Sequence, residues 1–359
     1  MTKNKVLVAM SGGVDSSVAA ALLKEQGYEV YGATMQIWPE DAAPKNEKEA
    51  GRSCCSLEAV EDARRVCHQL DIPHYVFNFK EYFEEKVIQN FCEEYKNART
   101  PNPCVRCNKY VKFEKFLSRA KELGMDYIAT GHYARIEKNG SAYKLKKAKD
   151  DSKDQSYALY MMDQNILSKT LFPNAGLTKK QIRELAQKFN LHIHEKLDSQ
   201  EICFITDNDF ERFLKERMPE LDNPGPIKTL DGTFVGTHRG IAFYTLGQRR
   251  GLNVAVGYPV YVVKIDKDAN TIYIGDEKSV LKDELIADDF IFISGQVPKD
   301  KIMGRAKIRY NTPEDDATLE YLGEGKSRIK FDRPQAAITP GQYAVFYVGD
   351  EVVGGGVIC

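Results

Sequence analysis

Residues 9–20 read AMSGGVDSSVAA, and they follow a run of apolar residues, Lys5–Met10, at the start of the chain. A continuous apolar run of this length suits a strand buried on both faces. Ser11-Gly12-Gly13 then turns the chain, and the spacing predicts a helix from about Val14. A glycine turn between a buried strand and a helix leaves backbone N–H groups unpaired at the helix N-terminus. These groups and the helix dipole together attract an anion. Ser11, Ser16 and Ser17 add hydroxyl donors. The string matches neither GxxxxGK[ST] nor GxGxxG. Asp15 is the one carboxylate in the turn, placed either to orient phosphate or metal or to cap its own helix.

The first half of the chain continues in the same alternation. Tyr28–Ile37, His74–Phe79 and Tyr127–Thr130 read as further strands. Leu57, Val60, Ala63, Cys67 and Leu70 form one helical stripe. Phe83, Val87, Phe91 and Tyr95 form a second, and Phe113, Phe116, Leu117, Ala120 and Leu123 a third. Thr178 with Gln181 is a capping-box start for a later helix. Strands separated by helices predict an α/β fold with a doubly wound parallel sheet.

The grammar changes after the Pro- and Gly-rich DNPGPIKTLDG linker, where short alternating segments are joined by turns. YVVKID pairs with TIYIGD, LEYLG with RIKFD, and YAVFYVG with EVVGGGV. We expect three domains: 1–210 with the phosphate turn, a β-rich central domain at 211–285, and a C-terminal β-barrel at 286–359.

The 359 residues carry a formal net charge of −1, so no global field favours nucleic acid. Binding would need a local patch, and Lys144, Lys146, Lys147, Lys149 and Lys153 form one basic spot. His238, Arg239, Arg249 and Arg250 form another. No apolar run is long enough for a membrane span, and the N-terminus reads as a strand rather than a signal peptide, so a cytoplasmic location is expected. In a reducing compartment the eight cysteines point to metal binding or catalysis rather than structural disulfides.

Those cysteines divide by context. Cys67 and Cys92 fall on apolar helical stripes and read as core. Cys54 and Cys55 lie in a polar loop, and Cys359 is terminal. Cys104 and Cys107 follow the Pro-Asn-Pro turn of TPNPCVRCNKYVKF, and Cys203 lies in LDSQEICFI. A structural zinc needs four ligands, and no second CxxC is present to complete one with Cys104 and Cys107. A thioredoxin-like dithiol would open a helix, whereas this CxxC reads as following a helix and a proline loop.

SGGVDSS directly after an apolar strand resembles the pyrophosphate loop of the N-type ATP pyrophosphatases. TPNPxxxCNKxxKF, ATGHYARI, KDQSYALY, LDSQEICFI, YTLGQRRGL and PGQYAVFY, in this order and over nearly the whole chain, resemble the tRNA-specific 2-thiouridylases. The resemblance implies ATP-dependent replacement of the 2-oxygen of the wobble uridine, position 34, in tRNAs for Lys, Glu and Gln. ATP and Mg²⁺ are the implied cofactors. Cys107 is the implied nucleophile and Cys203 the implied persulfide carrier, loaded by a sulfur donor such as a cysteine desulfurase or a sulfur-relay protein.

The implied ATP site is Ala9, Met10, Ser11, Gly12, Gly13, Val14, Asp15 and Ser16, with Met35 and Gly131. The implied tRNA contacts are Asn102, Pro103, Cys104, His132, Lys153, Asp154, Gln155, Arg309, Tyr310 and Gln342. Many members carry an acidic residue where this chain has Cys104, and a thiol replaces such a base only with a lowered pKa. Cys104, Cys107 and Cys203 are also the candidate ligands of a [4Fe–4S] cluster with one open iron. The alternative reading is another adenylating synthetase of the same superfamily acting on a small molecule.

Overall fold

The computed structural model describes residues 3–37, 57–196, 202–205, 207 and 209–359. Cys54 and Cys55 lie outside the described residues, as do residues 197–201 of the LDSQEICFI stretch. Five strands form a parallel sheet: β1 (Lys5–Ala9), β2 (Glu29–Gln36), β3 (His74–Asn78), β4 (Tyr127–Ala129) and β7 (Thr170–Leu171), in the order β3-β2-β1-β4-β7. Side chains alternate between the faces of β1. Val6 and Val8 pack with Val18, Ala63 and Ile182 from the helices Val14–Glu25, Leu57–Gln69 and Lys179–Lys188. Leu7 and Ala9 face the other way, toward Phe83, Phe91, Val111 and Phe116. Both faces are covered, which is why β1 is apolar from Val6 to Ala9.

The strand order reverses between β1 and β4. β2 and β3 lie on one side of β1, and the chain then crosses to the other. At such a switch point the loops at the carboxyl ends part and leave a crevice, where ligands of open α/β sheets bind. The loops leaving β1 and β4 are the SGGVDSS and ATGHY strings.

A second sheet follows the linker, with β8 (Gly225–Thr229), β9 (Phe234–His238), β10 (Tyr261–Asp266) and β11 (Thr271–Gly275) in the order β10-β11-β8-β9. Six more strands then close a barrel: β12 (Leu281–Phe292), β13 (Ile302–Lys307), β14 (Asp315–Gly323), β15 (Lys326–Ala336), β16 (Tyr343–Val348) and β17 (Glu351–Ile358). The order is β12-β15-β14-β13-β16-β17, and β12 pairs with β17 to complete the ring. Leu319, Ile329, Phe331 and Phe346 fill its interior. The expected α/β domain, β-rich module and barrel are all present.

One hairpin escaped the sequence reading. β5 (Arg135–Asn139) and β6 (Ala142–Lys146) leave the first domain and extend the barrel sheet beside β17. This corrects the first basic spot. Lys144 pairs with Glu351 at 2.6 Å, Lys146 with Glu137 at 2.8 Å, and Lys147 with Glu314. These cations neutralise a domain junction instead of lining an open surface. The second spot dissolves in part as well. His238 is buried, with its Nε2 2.9 Å from the Asn270 carbonyl oxygen, and Arg239 pairs with Glu211 at 2.8 Å.

Candidate active site at the sheet switch point

The turn after β1 is built by its own hydroxyls. The Ser11 N–H donates to Ser16 Oγ at 3.2 Å, and Ser17 Oγ donates to the Gly13 carbonyl at 2.8 Å. Gly13 is the N-cap of the helix Val14–Glu25 and makes no side-chain cap bond. The first amides of that helix therefore have no capping side chain, and an anion is their natural partner. Gly12 has φ +66°, and a Cβ there would lie 2.3 Å from the Ala59 carbonyl oxygen. Gly131 closes the crevice from β4, where a Cβ would meet the Asp15 carbonyl carbon and the Ser16 nitrogen at 2.7 Å. The two loops thus touch backbone to backbone. Met10 and Val14 are buried in the core behind the turn, and Met35 at the end of β2 packs on the opposite core. From Met10 and Val14 only the backbone reaches toward a nucleotide.

The Asp15 carboxylate is held by two side chains from outside the turn. It makes no cap bond. Lys179 Nζ donates to both of its carboxylate oxygens at 2.8 Å, and the Tyr133 hydroxyl donates to Oδ1 at 2.6 Å. Asn174 Nδ2 donates to the backbone carbonyls of Asp15 at 3.0 Å and Gly131 at 3.2 Å, tying the two loops together. Tyr133, Asn174 and Lys179 were missed by the sequence reading. The Thr178–Gln181 capping box, present as expected, located the start of the Lys179 helix but not its place beside Asp15.

The cysteine stretch differs from its expected setting. Asn102 is an N-cap, and its Oδ1 accepts from the N–H groups of Cys104 at 3.1 Å and Val105 at 3.4 Å. Pro103 opens the helical segment. The CxxC therefore does start a helix, contrary to the ground on which a dithiol was set aside. Cys104 is exposed there, whereas Cys107 is buried where the segment widens into a π-helical stretch, Cys107–Lys115. Arg106 Nε donates to the Lys86 carbonyl at 2.9 Å, locking this helix to the helical segment that runs from Lys80 to Lys96. That partner also has a π-helical turn, Glu84–Ile88. Such turns recur at functional sites.

Cys203 is half-buried and packs against the same core cluster that holds Cys107. Its neighbour Phe204 is the anchor, with ring centroids 5.2 Å from Phe91 and 5.8 Å from Phe83. Both cysteines are thus seated by adjacent residues on one helix, Arg106 at Lys86 and Phe204 at Phe83 and Phe91. Cys67 and Cys92 are core residues as read. Burial pushes their thiols up to about 12 and about 11, so neither supplies a thiolate. Among the described residues no three His, Cys, Asp or Glu side chains gather as a metal site.

Of the other resemblance-derived positions, Tyr310 of the barrel lies near Cys104. The Tyr310 hydroxyl lies 3.5 Å from the Asp154 carbonyl oxygen. Burial, then Asp154 and the Cys104 thiol, raise the Tyr310 pKa. Gln342 Nε2 donates to the carbonyls of Thr100 at 3.0 Å and Pro101 at 3.3 Å. Arg309 donates to the carbonyls of Leu246 at 3.3 Å and Ala337 at 2.9 Å, joining the central module to the barrel. Asp154 accepts from the Ala148 and Ser156 amides, and Gln155 Oε1 from the Tyr133 amide at 2.9 Å. These side chains build the rim, and Lys153 stands in the same loop. His132 is packed between Phe113 and Phe172, with Nδ1 2.7 Å from Thr130 Oγ1. Burial, and secondarily Lys112, hold its pKa well below the usual value, so it is neutral.

Three family models match the chain in succession: "tRNA methyl transferase HUP domain" at residues 4–207, "tRNA methyl transferase PRC-barrel domain" at 211–276, and "Aminomethyltransferase beta-barrel domain" at 282–358. A tRNA-specific 2-thiouridylase of Halothermothrix orenii is 53% identical over 99% of this chain and 99% of its own. Similar proteins of the same name from Clostridium botulinum and Acetivibrio thermocellus are each 52% identical, over 100% of this chain and 98% and 100% of theirs. With more than half of its residues identical over essentially its full length, the chain belongs to the tRNA-specific 2-thiouridylase family.

Proposed function

We propose that this protein is an ATP-dependent tRNA sulfurtransferase that replaces the 2-oxygen of the wobble uridine, in tRNAs for Lys, Glu and Gln. What supports the reading is that Cys203 packs on the core cluster that contains Cys107, far from it in sequence, in a chain whose first helix opens on a glycine turn without a capping side chain. The amides and hydroxyls of Ser11–Ser17 cradle the ATP phosphates. The uridine leaves its stack to reach the crevice, as bases do in other base-modifying enzymes. Its 2-oxygen attacks the α-phosphorus, and the bond to pyrophosphate breaks.

Cys203 enters the second half of the cycle as a persulfide, loaded by a donor such as a cysteine desulfurase or a sulfur-relay protein. The terminal sulfur attacks carbon 2, and AMP leaves with the former 2-oxygen. The Cys107 thiolate attacks Cys203 Sγ, and the sulfur–sulfur bond to the transferred atom breaks. The thiocarbonyl stays on the base, and a Cys107–Cys203 disulfide is left for a cellular thiol to reduce. A [4Fe–4S] cluster held by Cys104, Cys107 and Cys203 is the alternative sulfur carrier.

The test is nucleoside mass spectrometry on tRNA incubated with the protein, ATP and a cysteine desulfurase with cysteine as its sulfur source. Cys107→Ser and Cys203→Ser should each give no 2-thiouridine while still binding ATP. Pyrophosphate release that needs no tRNA, or normal product from either variant, would refute the reading. Among the described residues no helix is long and apolar enough to cross a membrane.

A further inference from the structure

Lys179 is the first residue of its helix, where the positive end of the dipole disfavours a cation. Local energetics therefore argue against a lysine at this position, and a tertiary reason must hold it there. That reason is Asp15. The ammonium bridges both carboxylate oxygens at 2.8 Å, and its side chain is only 12% exposed. The Lys179 amide is held in turn by Asp150 Oδ2 at 2.9 Å, which supplies the negative charge that this helix end lacks. Tyr133, the other donor to Asp15, pairs with Gln155 on its backbone side. Both partners of Asp15 are thus anchored in the 150–155 loop.

We propose that Lys179 is a positioning residue for ATP, which acts through Asp15 by neutralising the single carboxylate of the phosphate turn and fixing that turn's geometry. A triphosphate entering the crevice meets a carboxylate in the first turn of the very helix that receives it. Left unpaired, that carboxylate repels the phosphates. Bridged by Lys179, it presents no net charge, and the helix amides act unopposed. The inference rests on the ATP-binding reading of the crevice and names a residue which that reading does not use.

A double-mutant cycle on the full chain, with MgATP affinity read by calorimetry, separates the possibilities. K179M should weaken ATP binding by about tenfold or more, the usual scale for stranding one partner of a close charge pair. K179R should retain affinity within about threefold, since it restores the charge. D15N/K179M should bind ATP more tightly than K179M alone, because the stranded carboxylate is gone. A lysine that merely supported the fold would show no such recovery. Unchanged affinity in K179M, or a double variant as weak as K179M, would overturn the proposal. No ATP binding by the unsubstituted chain would instead overturn the ATP reading beneath it.

Discussion

Gln342, at the entry to the penultimate strand of the barrel, donates to the carbonyls of Thr100 and Pro101, at 3.0 and 3.3 Å. The C-terminal barrel therefore supports the loop that leads into Cys104 and Cys107. Gln342→Leu removes both bonds and leaves two carbonyls without that donor, at a cost of about 1–3 kcal/mol. Thiolation at saturating ATP should slow, while ATP affinity stays unchanged. Stopped-turnover assays with a binding measurement check this, and an equal loss of ATP affinity would contradict it.

Asn102 caps the cysteine helix through two backbone amides. Asn102→Ala should destabilise the protein by about 1 kcal/mol, whereas Asn102→Asp or Asn102→Ser should keep most of the stability. Urea denaturation distinguishes them. If aspartate proves as harmful as alanine, Oδ1 is not acting as a cap and its contact lies elsewhere, on the substrate.

Acid sensitivity follows from three enclosed histidines. His132, His74 and His238 each have pKa values lowered from 6.5, in every case chiefly by burial. Below pH 6.5 the unfolded chain binds protons that the folded chain refuses. The stability associated with these neutral rings is thus full above 6.5 and is lost as pH falls through that value toward the folded pKa values. The urea midpoint should drop between pH 7 and pH 5, and His132→Gln should make that drop shallower. A His132→Gln profile as steep as the parent would exclude this ring as a contributor.

The hairpin lysines should not grip RNA. Lys144 is paired with Glu351 across the barrel junction, and Lys146 with Glu137 within the hairpin. Lys144→Gln with Lys146→Gln should leave the salt dependence of tRNA affinity unchanged. Each lost phosphate contact would otherwise lower the slope of log affinity against log salt by about 0.7–0.9. A fall of that size per lysine would place these side chains on the nucleic acid.

Local chemistry carried much of this protein. The apolar run into SGGVDSS, the alternating strands, the Thr178–Gln181 cap and the burial of Cys67 and Cys92 all depend on neighbours a few residues away, and each was legible. The family strings added Cys107 and Cys203 as a pair. What no local pattern encodes is which distant charge meets which. Lys179 reaches Asp15 across 164 residues, and Gln342 reaches Thr100 across 242. The partners of the basic-looking hairpin were illegible for the same reason, because Glu351 and Glu314, which pair with Lys144 and Lys147, belong to the barrel. Helices and strands follow from the periodicity of one segment, but electrostatic partners are chosen by how the segments stack. The sequence alone determined most of the elements, because their periodicity is local, and only the tertiary structure decided which distant charge holds the Asp15 carboxylate and what holds the cysteine helix in place.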